Sequence, residues 1–289
     1  MPKACELCPR MCGTDRDISK GFCGCGSSIR IAKYMVHRGE EPCISGINGS
    51  GAVFFSGCSL RCVFCQNHVI SRGLKGEDIT GERLSEIFFE LKKKGVHNIN
   101  LVTGTHFSDK IADVLKKCKD KLGIPVIFNC GGYERAETLE TLDGLIDVYL
   151  PDIKYYDSMM SERYSKAADY FETAIKALSE MKRQQPENIF DENGMIKKGV
   201  IVRHLVLPKG YKDSIRILEE IKKRFDGALP LVSIMRQYTP CNVEEKYPEI
   251  NRTLTSFEYN KVTDKAAELG FEGFTQEKGC ETFEMTPDF

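Results

Sequence analysis

The sequence contains no apolar run long enough to cross a membrane. A bilayer-spanning helix needs about 18 consecutive apolar residues, and no segment of this chain approaches that length. Its first residues, MPKACELCPRMCG, also lack the apolar stretch of a secretory signal. These two absences argue against a membrane-spanning and against a secreted protein. We therefore expect a cytoplasmic protein with no membrane partner.

An excess of charge of either sign is also missing. The chain carries 41 basic and 42 acidic residues, for a net charge of −1. Its lysine-rich runs, such as residues 92–94, fall on the polar sides of predicted amphipathic helices, where solvated lysines are normal. Because nucleic-acid-binding proteins usually carry a marked basic patch, we expect no nucleic-acid partner.

Cysteine is the residue that stands out. The chain has 13 cysteines, and most of them bunch in two groups. The first group is Cys5, Cys8, Cys12, Cys23 and Cys25, and the second is Cys58, Cys62 and Cys65. A disulfide framework is uncommon in a reducing compartment, so this grouping favours metal binding.

From about residue 50 the chain alternates short apolar runs with amphipathic stretches, as βα units on a parallel sheet do. We predict six strands, at residues 52–56, 98–102, 125–128, 146–150, 200–207 and 231–235. Apolar residues at three- and four-residue spacing predict six helices, one of them continuous from Tyr164 to Leu178, with Ser161 and Asp213 as candidate N-caps. Six strands are too few for a closed eight-stranded barrel. The predicted fold is therefore α/β: a partial (β/α)6 barrel of parallel strands at residues 51–289, with a small Cys-rich, metal-binding extension at residues 1–50.

The residues that follow the predicted strands are polar, small or charged. They are residues 57–58, 103–106, 129–133, 151–154, 208–210 and 237–240. Ligands of parallel α/β folds bind at the carboxyl ends of the strands. We expect the functional site at this edge.

Three cysteines follow the first predicted strand with the spacing C-x3-C-x2-C: Cys58, Cys62 and Cys65. Three thiolates can hold three irons of a [4Fe–4S] cluster, and no fourth cysteine follows nearby, which leaves one iron position open. An open position is typical of a catalytic metal site. The alternative is a zinc knuckle completed by His68.

This motif, with Phe64 before its last cysteine and a place after the first strand of a partial barrel, resembles that of the radical S-adenosylmethionine enzymes. The resemblance implies that the amino and carboxylate groups of S-adenosylmethionine chelate the open iron. It also implies that one-electron reduction gives a 5′-deoxyadenosyl radical, which abstracts hydrogen from a substrate. Such an iron–sulfur oxidoreductase needs an electron donor such as flavodoxin or ferredoxin.

Two further stretches resemble the activating enzymes of glycyl radical enzymes, the pyruvate formate-lyase-activating enzyme group. DVYLPDIK at residues 147–154 is similar to that group's strand ending in D-x-K, and VRHLVLPKG at residues 202–210 to its R-x-x-V-x-P-G strand. The likeness implies that Asp152 and Lys154 lie at the S-adenosylmethionine site and that Arg203 points into the barrel. A guanidinium can pair with the ligand's carboxylate. An ion pair within the barrel, for instance with Asp152, is the alternative for Arg203.

One stretch departs from the family pattern. The second strand of that group ends in Gly-Gly-Glu, whose polar groups receive the methionine amino group, whereas this chain reads Thr103-Gly104-Thr105-His106. Threonine hydroxyls or backbone carbonyls would have to replace the carboxylate. His106 is either a functional residue of this edge or an ordinary loop histidine. The residues that the resemblance implies for cofactor binding are Phe64, Thr103, Gly104, Thr105, Asn129, Asp152, Lys154 and Arg203.

The amino-terminal cysteines predict a second metal site. About 25 residues cannot bury a core, so a metal would supply the folding free energy. Four of the five thiolates would close a coordination shell, and we predict Cys5, Cys8, Cys12 and Cys23. Zinc and a second iron–sulfur cluster both fit the spacing, as a structural staple or as an electron relay.

The leading hypothesis is a radical S-adenosylmethionine enzyme that abstracts hydrogen. In its most specific version the target is a glycine Cα of a partner glycyl radical enzyme. The same apparatus could modify a small molecule or a peptide, because fold and cofactor do not determine the substrate. A non-catalytic iron–sulfur or zinc protein with a redox or interaction role is the hypothesis from another class, favoured by the missing carboxylate.

Overall fold

The computed structural model describes residues 4–73, 75–241 and 243–280. Its strands are β1 (Ile29–His37), β2 (Ser50–Phe55), β3 (Glu77–Ile79), β4 (Ile99–Val102), β5 (Val126–Cys130), β6 (Val148–Pro151), β7 (Ile189–Phe190), β8 (Ile196–Leu205), β9 (Leu231–Met235) and β10 (Gly273–Thr275). Its α-helices are α1 (Pro42–Ser45), α2 (His68–Ser71), α3 (Gly81–Lys93), α4 (Ser108–Leu122), α5 (Ala136–Glu140), α6 (Ser158–Ser165), α7 (Tyr170–Gln184), α8 (Tyr211–Arg224) and α9 (Ser256–Glu268). Short 3-10 turns cover Thr105–Phe107 and Pro248–Ile250. Within the described ranges, no helix combines the length and the apolar character needed to span a bilayer.

The strands form one mixed sheet in which the central run is parallel. Its order is β10-β9-β8-β6-β5-β4-β2-β1-β3, with β7 attached to β8. Strands β2, β4, β5, β6, β8, β9 and β10 are parallel to their neighbours in that run, whereas β1 and β3 add antiparallel strands at the far edge. Within the described residues the two edge strands, β10 and β3, do not pair with each other, so the sheet is not closed. The prediction of an α/β fold with an open parallel barrel is confirmed, and all six predicted strands are present.

The helices pack their apolar faces onto the outside of the sheet, as the spacing predicted. In α3, for example, Leu84, Ile87, Phe88 and Leu91 are buried, while lysines occupy the last turn. Because apolar residues three and four positions apart share one helix face, these side chains form one continuous stripe against the strands.

Three details of the helix prediction are wrong. The helix predicted across residues 164–178 is broken into α6 and α7, because Lys166 adopts a left-handed conformation (φ 52°) that ends α6. The N-cap of α6 is Asp157, whose carboxylate accepts from the backbone of Met159 and Met160, and not Ser161. Asp213 does not cap α8 either, since its carboxylate accepts from the backbone N–H groups of residues 156 and 157.

Residues of the predicted extension fill the amino-terminal end of the barrel. Cys43 and Ile44 of α1 are buried in a cluster with Ile127, Val148, Leu150, Ile196 and Ile201. The Asn98 amide donates to Ile44 O at 2.8 Å, which fixes α1 to the residue directly before β4. Burial of these apolar side chains on the inner face of the curved sheet fills this end of the open barrel. The division at residue 50 stays a prediction, and residues 1–3 and 281–289 lie outside the described residues.

The first described residues dock at the opposite, carboxyl end of the strands. Arg10 donates from Nε to Ser59 O at 2.8 Å and from a terminal nitrogen to Ser165 O at 2.6 Å. The backbone N–H of Cys58 donates to Cys23 O at 3.2 Å. The Cys-rich segment is therefore fixed directly against the loop that carries the three-cysteine motif.

Candidate functional site

A cavity of about 420 Å³ opens at the carboxyl ends of the parallel strands. Its volume lies within the range of about 300–1,000 Å³ that is common for small-molecule sites. The predicted site residues that line it are Cys58, Cys62, Phe64, Cys65, Thr103, Asn129, Asp152, Lys154 and Arg203. Gly104 and Thr105 are not among the described residues that line it. The sequence therefore brings most of the predicted contacts to one cavity.

The three cysteines occupy a loop between β2 and α2, and their thiols are crowded. Burial, with repulsion from the Cys62 thiolate, raises the pKa of Cys58 to about 11 and that of Cys65 to about 12. These raised pKa values mean that the thiolate forms of Cys58 and Cys65 are disfavoured here without a nearby cation. Coordination to a metal cluster would supply that cation and keep the sulfurs deprotonated.

Hydrogen-bond donors surround these sulfurs. The backbone N–H of Leu60 donates to Cys58 Sγ at 3.4 Å, and the Ser165 hydroxyl donates to Cys62 Sγ at 3.0 Å. Donors to the sulfurs tune and orient cysteine ligands of iron–sulfur clusters. His68, the fourth ligand of the zinc-knuckle alternative, has its Nδ1 at 4.0 Å from Cys241 Sγ. The residues present fit a [4Fe–4S] cluster with three cysteine ligands.

Asp152 and Lys154 form an ion pair just beyond β6. Lys154 Nζ lies 2.5 Å from Asp152 Oδ2, and both side chains are mostly buried. Burial alone would lower the pKa of Lys154, but the Asp152 carboxylate and the Cys62 thiolate together raise it. Lys154 therefore carries a fixed positive charge beside the three sulfurs, at the position where an anionic ligand group would be stabilised.

The backbone around this ion pair is tightly packed. The Tyr170 hydroxyl lies 2.8 Å from Gly131 O and accepts a hydrogen bond from Lys154 N at 3.0 Å. Gly132 has a φ of +77°, and a Cβ there would lie 1.9 Å from Asp152 O. Only glycine allows this close approach, so the loops after β5 and β6 are held together and the ion pair is pre-positioned.

Arg203 lies on β8 at the inner end of the cavity and pairs with two glutamates. Its Nε donates to Glu41 Oε1 at 2.9 Å, one terminal nitrogen donates to Glu41 Oε2 at 2.5 Å, and the same nitrogen contacts Glu40. The Asn100 amide donates to Glu40 Oε1 at 2.8 Å. An ion pair within the barrel was the alternative expected for Arg203, and its partners are these two glutamates and not Asp152.

Sequence reasoning missed both glutamates. They precede α1, inside the segment that was assigned to a metal-binding extension. One signal was available: a buried arginine on a central strand requires a carboxylate partner, and Glu40-Glu41 is a compact acidic pair. Nothing in the spacing indicated which of the chain's acidic residues would be that partner.

The Thr103–His106 stretch has its own buried carboxylate nearby. Thr103 has a φ of +61° and lines the cavity, whereas Thr105 is buried and its hydroxyl donates to Glu134 Oε1 at 3.0 Å. Burial raises the pKa of Glu134 to about 8. Glu134, which follows β5, was not predicted as a site residue. The Glu134 carboxylate thus lies behind the end of β4. The family pattern instead has its carboxylate in the strand itself.

The amino-terminal cysteines lie close to one another and to the barrel. Burial raises the pKa of the Cys8 thiol to about 12, with smaller contributions from Cys23 and Cys5. The sulfurs of Cys12 and Cys23 lie 3.3 and 3.6 Å from the point where a Cβ on Gly21 would stand. The four-cysteine site stays a prediction. Among the described residues, the group whose donor atoms all lie within 4.8 Å of one another is Cys23, Cys25 and His106.

Sequence comparison matches the chain to one family model and to individual proteins. The sequence model of the Radical SAM superfamily matches residues 52–197. The chain is 32% identical over 275 residues to the uncharacterized protein MJ0674 of Methanocaldococcus jannaschii, covering 91% of this chain and 74% of that protein. It is 27% identical over 221 residues to the pyruvate formate-lyase-activating enzyme of Clostridium pasteurianum, covering 71% of this chain and 86% of that enzyme.

Solved structures share the fold at low sequence identity. SuiB of Streptococcus suis, bound to S-adenosylmethionine, matches with a TM-score of 0.52 and 17% identity, over 80% of this chain and 50% of SuiB. Methylornithine synthase matches with a TM-score of 0.50 and 15% identity, over 78% of this chain and 72% of that one. The chain thus spans about half the length of SuiB, and these likenesses concern the fold alone.

Proposed function

We propose a function from one premise: this chain belongs to the Radical SAM superfamily. We propose that Cys58, Cys62 and Cys65 hold a [4Fe–4S] cluster and that S-adenosylmethionine binds in the adjoining cavity. When bound together, the cluster and S-adenosylmethionine would supply a 5′-deoxyadenosyl radical that abstracts hydrogen from a substrate. The observation that carries the proposal is the convergence of the three thiols with Asp152 and Lys154 on one cavity.

The polar residues of the cavity bind and orient the cofactor. Lys154, whose pKa the Asp152 carboxylate raises, would hold the carboxylate of S-adenosylmethionine. Asp152 would accept from its ammonium group or its ribose hydroxyls, and Asn129 and Thr103 would provide further polar contacts from neighbouring strand ends. Arg203 lines the inner end of the same cavity, where Glu40 and Glu41 hold its guanidinium in place.

Aromatic side chains support the cluster loop and exclude water from it. The ring of Phe64, which is 6% exposed, meets the rings of Tyr155, Tyr164 and Tyr238 edge-on at centroid distances of 6.4, 6.2 and 5.9 Å. Edge-to-face packing of this kind adds stability beyond the buried area. Aromatic packing that excludes water from the site would protect a reactive radical from side reactions.

We propose that the substrate is a glycine Cα of a partner glycyl radical enzyme. The support is the likeness to the Clostridium pasteurianum activating enzyme over most of its length. The fold does not select this substrate, since SuiB has been solved bound to a precursor peptide, SuiA, and methylornithine synthase shares the same architecture. Peptide and small-molecule substrates are therefore the other outcomes of the test. A flavodoxin or ferredoxin in the cytoplasm would supply the electron.

The experiment is anaerobic. The full chain is reconstituted with iron and sulfide, reduced with dithionite and mixed with S-adenosylmethionine, and 5′-deoxyadenosine is quantified by chromatography. The Cys58→Ala variant should form none, while the control Cys118→Ala, which alters a buried cysteine of α4, should retain activity. An intact cluster that forms no 5′-deoxyadenosine would favour the non-catalytic redox or interaction protein. Electron paramagnetic resonance with a pyruvate formate-lyase-type partner then asks whether a glycine-centred doublet appears.

A further inference from the structure

Two cysteines of the amino-terminal segment meet a histidine of the barrel edge. The sulfurs of Cys23 and Cys25 and a ring nitrogen of His106 all lie within 4.8 Å of one another. All three side chains are buried, with exposures of 6%, 1% and 1%. Tetrahedral zinc places its sulfur and nitrogen donors about 3.5–3.8 Å apart. A small adjustment would bring these three donors to that spacing.

One nitrogen of His106 has no partner. Its Nε2 lies 2.7 Å from the carbonyl oxygen of Ser56, which can only accept, so Nε2 carries the hydrogen. The lone pair is then on Nδ1, which is buried and has no hydrogen-bond partner in the described part of the chain. His106 is thus a neutral imidazole with one lone pair unused, which is the form that binds metal ions. Cys25 Sγ lies 3.0 Å from the same Ser56 carbonyl oxygen that Nε2 contacts, so the sulfur and the imidazole ring lie side by side.

The backbone at Gly57 is shaped around the side chains of Cys25 and His106. Gly57 has a φ of +85°, and a Cβ there would lie 2.6 Å from Cys25 Sγ and 3.1 Å from His106 Nε2. Any other residue at position 57 would therefore displace the two side chains. The Cys58 N–H donates to Cys23 O at 3.2 Å, so the same residues also fix the start of the three-cysteine loop.

We propose that Cys23, Cys25 and His106 bind one zinc ion, with the neighbouring thiol of Cys12 available for the fourth position. Three sulfurs and one imidazole form a closed shell, which is typical of structural zinc. This set replaces Cys5 and Cys8 of the four-cysteine prediction with Cys25 and His106. The zinc ion would join the amino-terminal segment to the turn after β4 and hold the cluster loop in place. The proposal does not depend on the radical chemistry.

The test uses the full chain purified without added metal, analysed by elemental analysis and by zinc K-edge X-ray absorption, which detects zinc even when iron is bound elsewhere. We expect about one zinc per chain with mixed sulfur and nitrogen ligands. His106→Cys should retain zinc and change its shell to sulfur alone. His106→Ala should weaken zinc binding at least ten-fold in competition with a chelator.

Cys5→Ser is the matched control, because it belongs to the four-cysteine set and not to this one, and it should leave the zinc spectrum unchanged. Protein that folds without zinc, iron at this site, a Cys23–Cys25 disulfide, or a spectrum that does not change in His106→Cys would each overturn the proposal. The zinc measurement stands apart from 5′-deoxyadenosine formation, so this proposal and the proposed enzymatic function can fail separately.

Discussion

Arg203 of β8 is fixed by Glu41, which directly precedes α1, the helix buried at the amino-terminal end of the barrel. Two roughly parallel hydrogen bonds join them, at 2.9 and 2.5 Å, and their side chains are only 12% and 5% exposed. Burial on its own would raise the pKa of Glu41, but the Arg203 guanidinium lowers it. This bidentate pair ties the amino-terminal residues to the floor of the cavity.

The first prediction concerns this pair. Glu41→Gln leaves a buried guanidinium with Glu40 as its remaining carboxylate. Removing one partner of a buried pair costs about 3–5 kcal/mol, and the remaining Glu40 should limit the loss of unfolding free energy to roughly 2–3 kcal/mol. Urea denaturation of the full chain measures it. The control Glu140→Gln, at an exposed position of α5, should change stability by less than about 0.5 kcal/mol. Equal stability of the two variants would contradict a stabilising role of the Glu41–Arg203 pair.

The second prediction follows from Glu134. Its folded pKa of about 8 lies above an unfolded value near 4.3, so the folded state binds the extra proton between these values. The stability from protonated Glu134 is fully present below about pH 4.3 and is lost as the pH rises through about 8. Wild type should therefore lose roughly 1.4 kcal/mol per pH unit relative to Glu134→Gln across this window. Urea denaturation at several pH values tests this, and parallel curves for the two proteins would argue against a protonated Glu134.

Sequence patterns predicted the parts of the fold that repeat. The six predicted strands contain short apolar runs bounded by polar residues, and helix faces such as Leu84 to Leu91 follow a three-and-four spacing, so both can be recognised locally. β1 and α1 were missed because their burial depends on where they pack. Ile44 lies inside the barrel only because the chain folds back under it.

In the candidate site, too, some groupings can be predicted from the sequence and others cannot. Cys58, Cys62 and Cys65 share one loop, and Asp152 and Lys154 share one strand end, so their spacing alone predicts that they lie together. Other contacts join residues far apart in the chain: Glu41 and Arg203, Thr105 and Glu134, Cys25 and His106. Spacing carries no information on such long-range pairs, and only the assembled sheet brings them together.

The third prediction concerns the positive charge beside the cysteines. Lys154→Met keeps most of the side-chain volume and removes the charge that would hold the cofactor's carboxylate. A hydrogen bond to a charged group contributes about 1.5–3 kcal/mol, so affinity for S-adenosylmethionine should fall at least ten-fold. Equilibrium dialysis on reconstituted protein of equal iron content measures this. Lys116→Met, on the exposed side of α4, should bind as wild type does, and an unchanged affinity in Lys154→Met would exclude the assigned role.

The central claim is that three cysteines hold a cluster whose fourth iron is open to S-adenosylmethionine. Electron paramagnetic resonance of the reduced full chain, recorded before and after S-adenosylmethionine is added, tests it most directly. We expect a reduced [4Fe–4S] signal that is lost in Cys58→Ala and whose g-values shift when S-adenosylmethionine is added to wild type. A signal that S-adenosylmethionine leaves unchanged, or one that persists in Cys58→Ala, would contradict it.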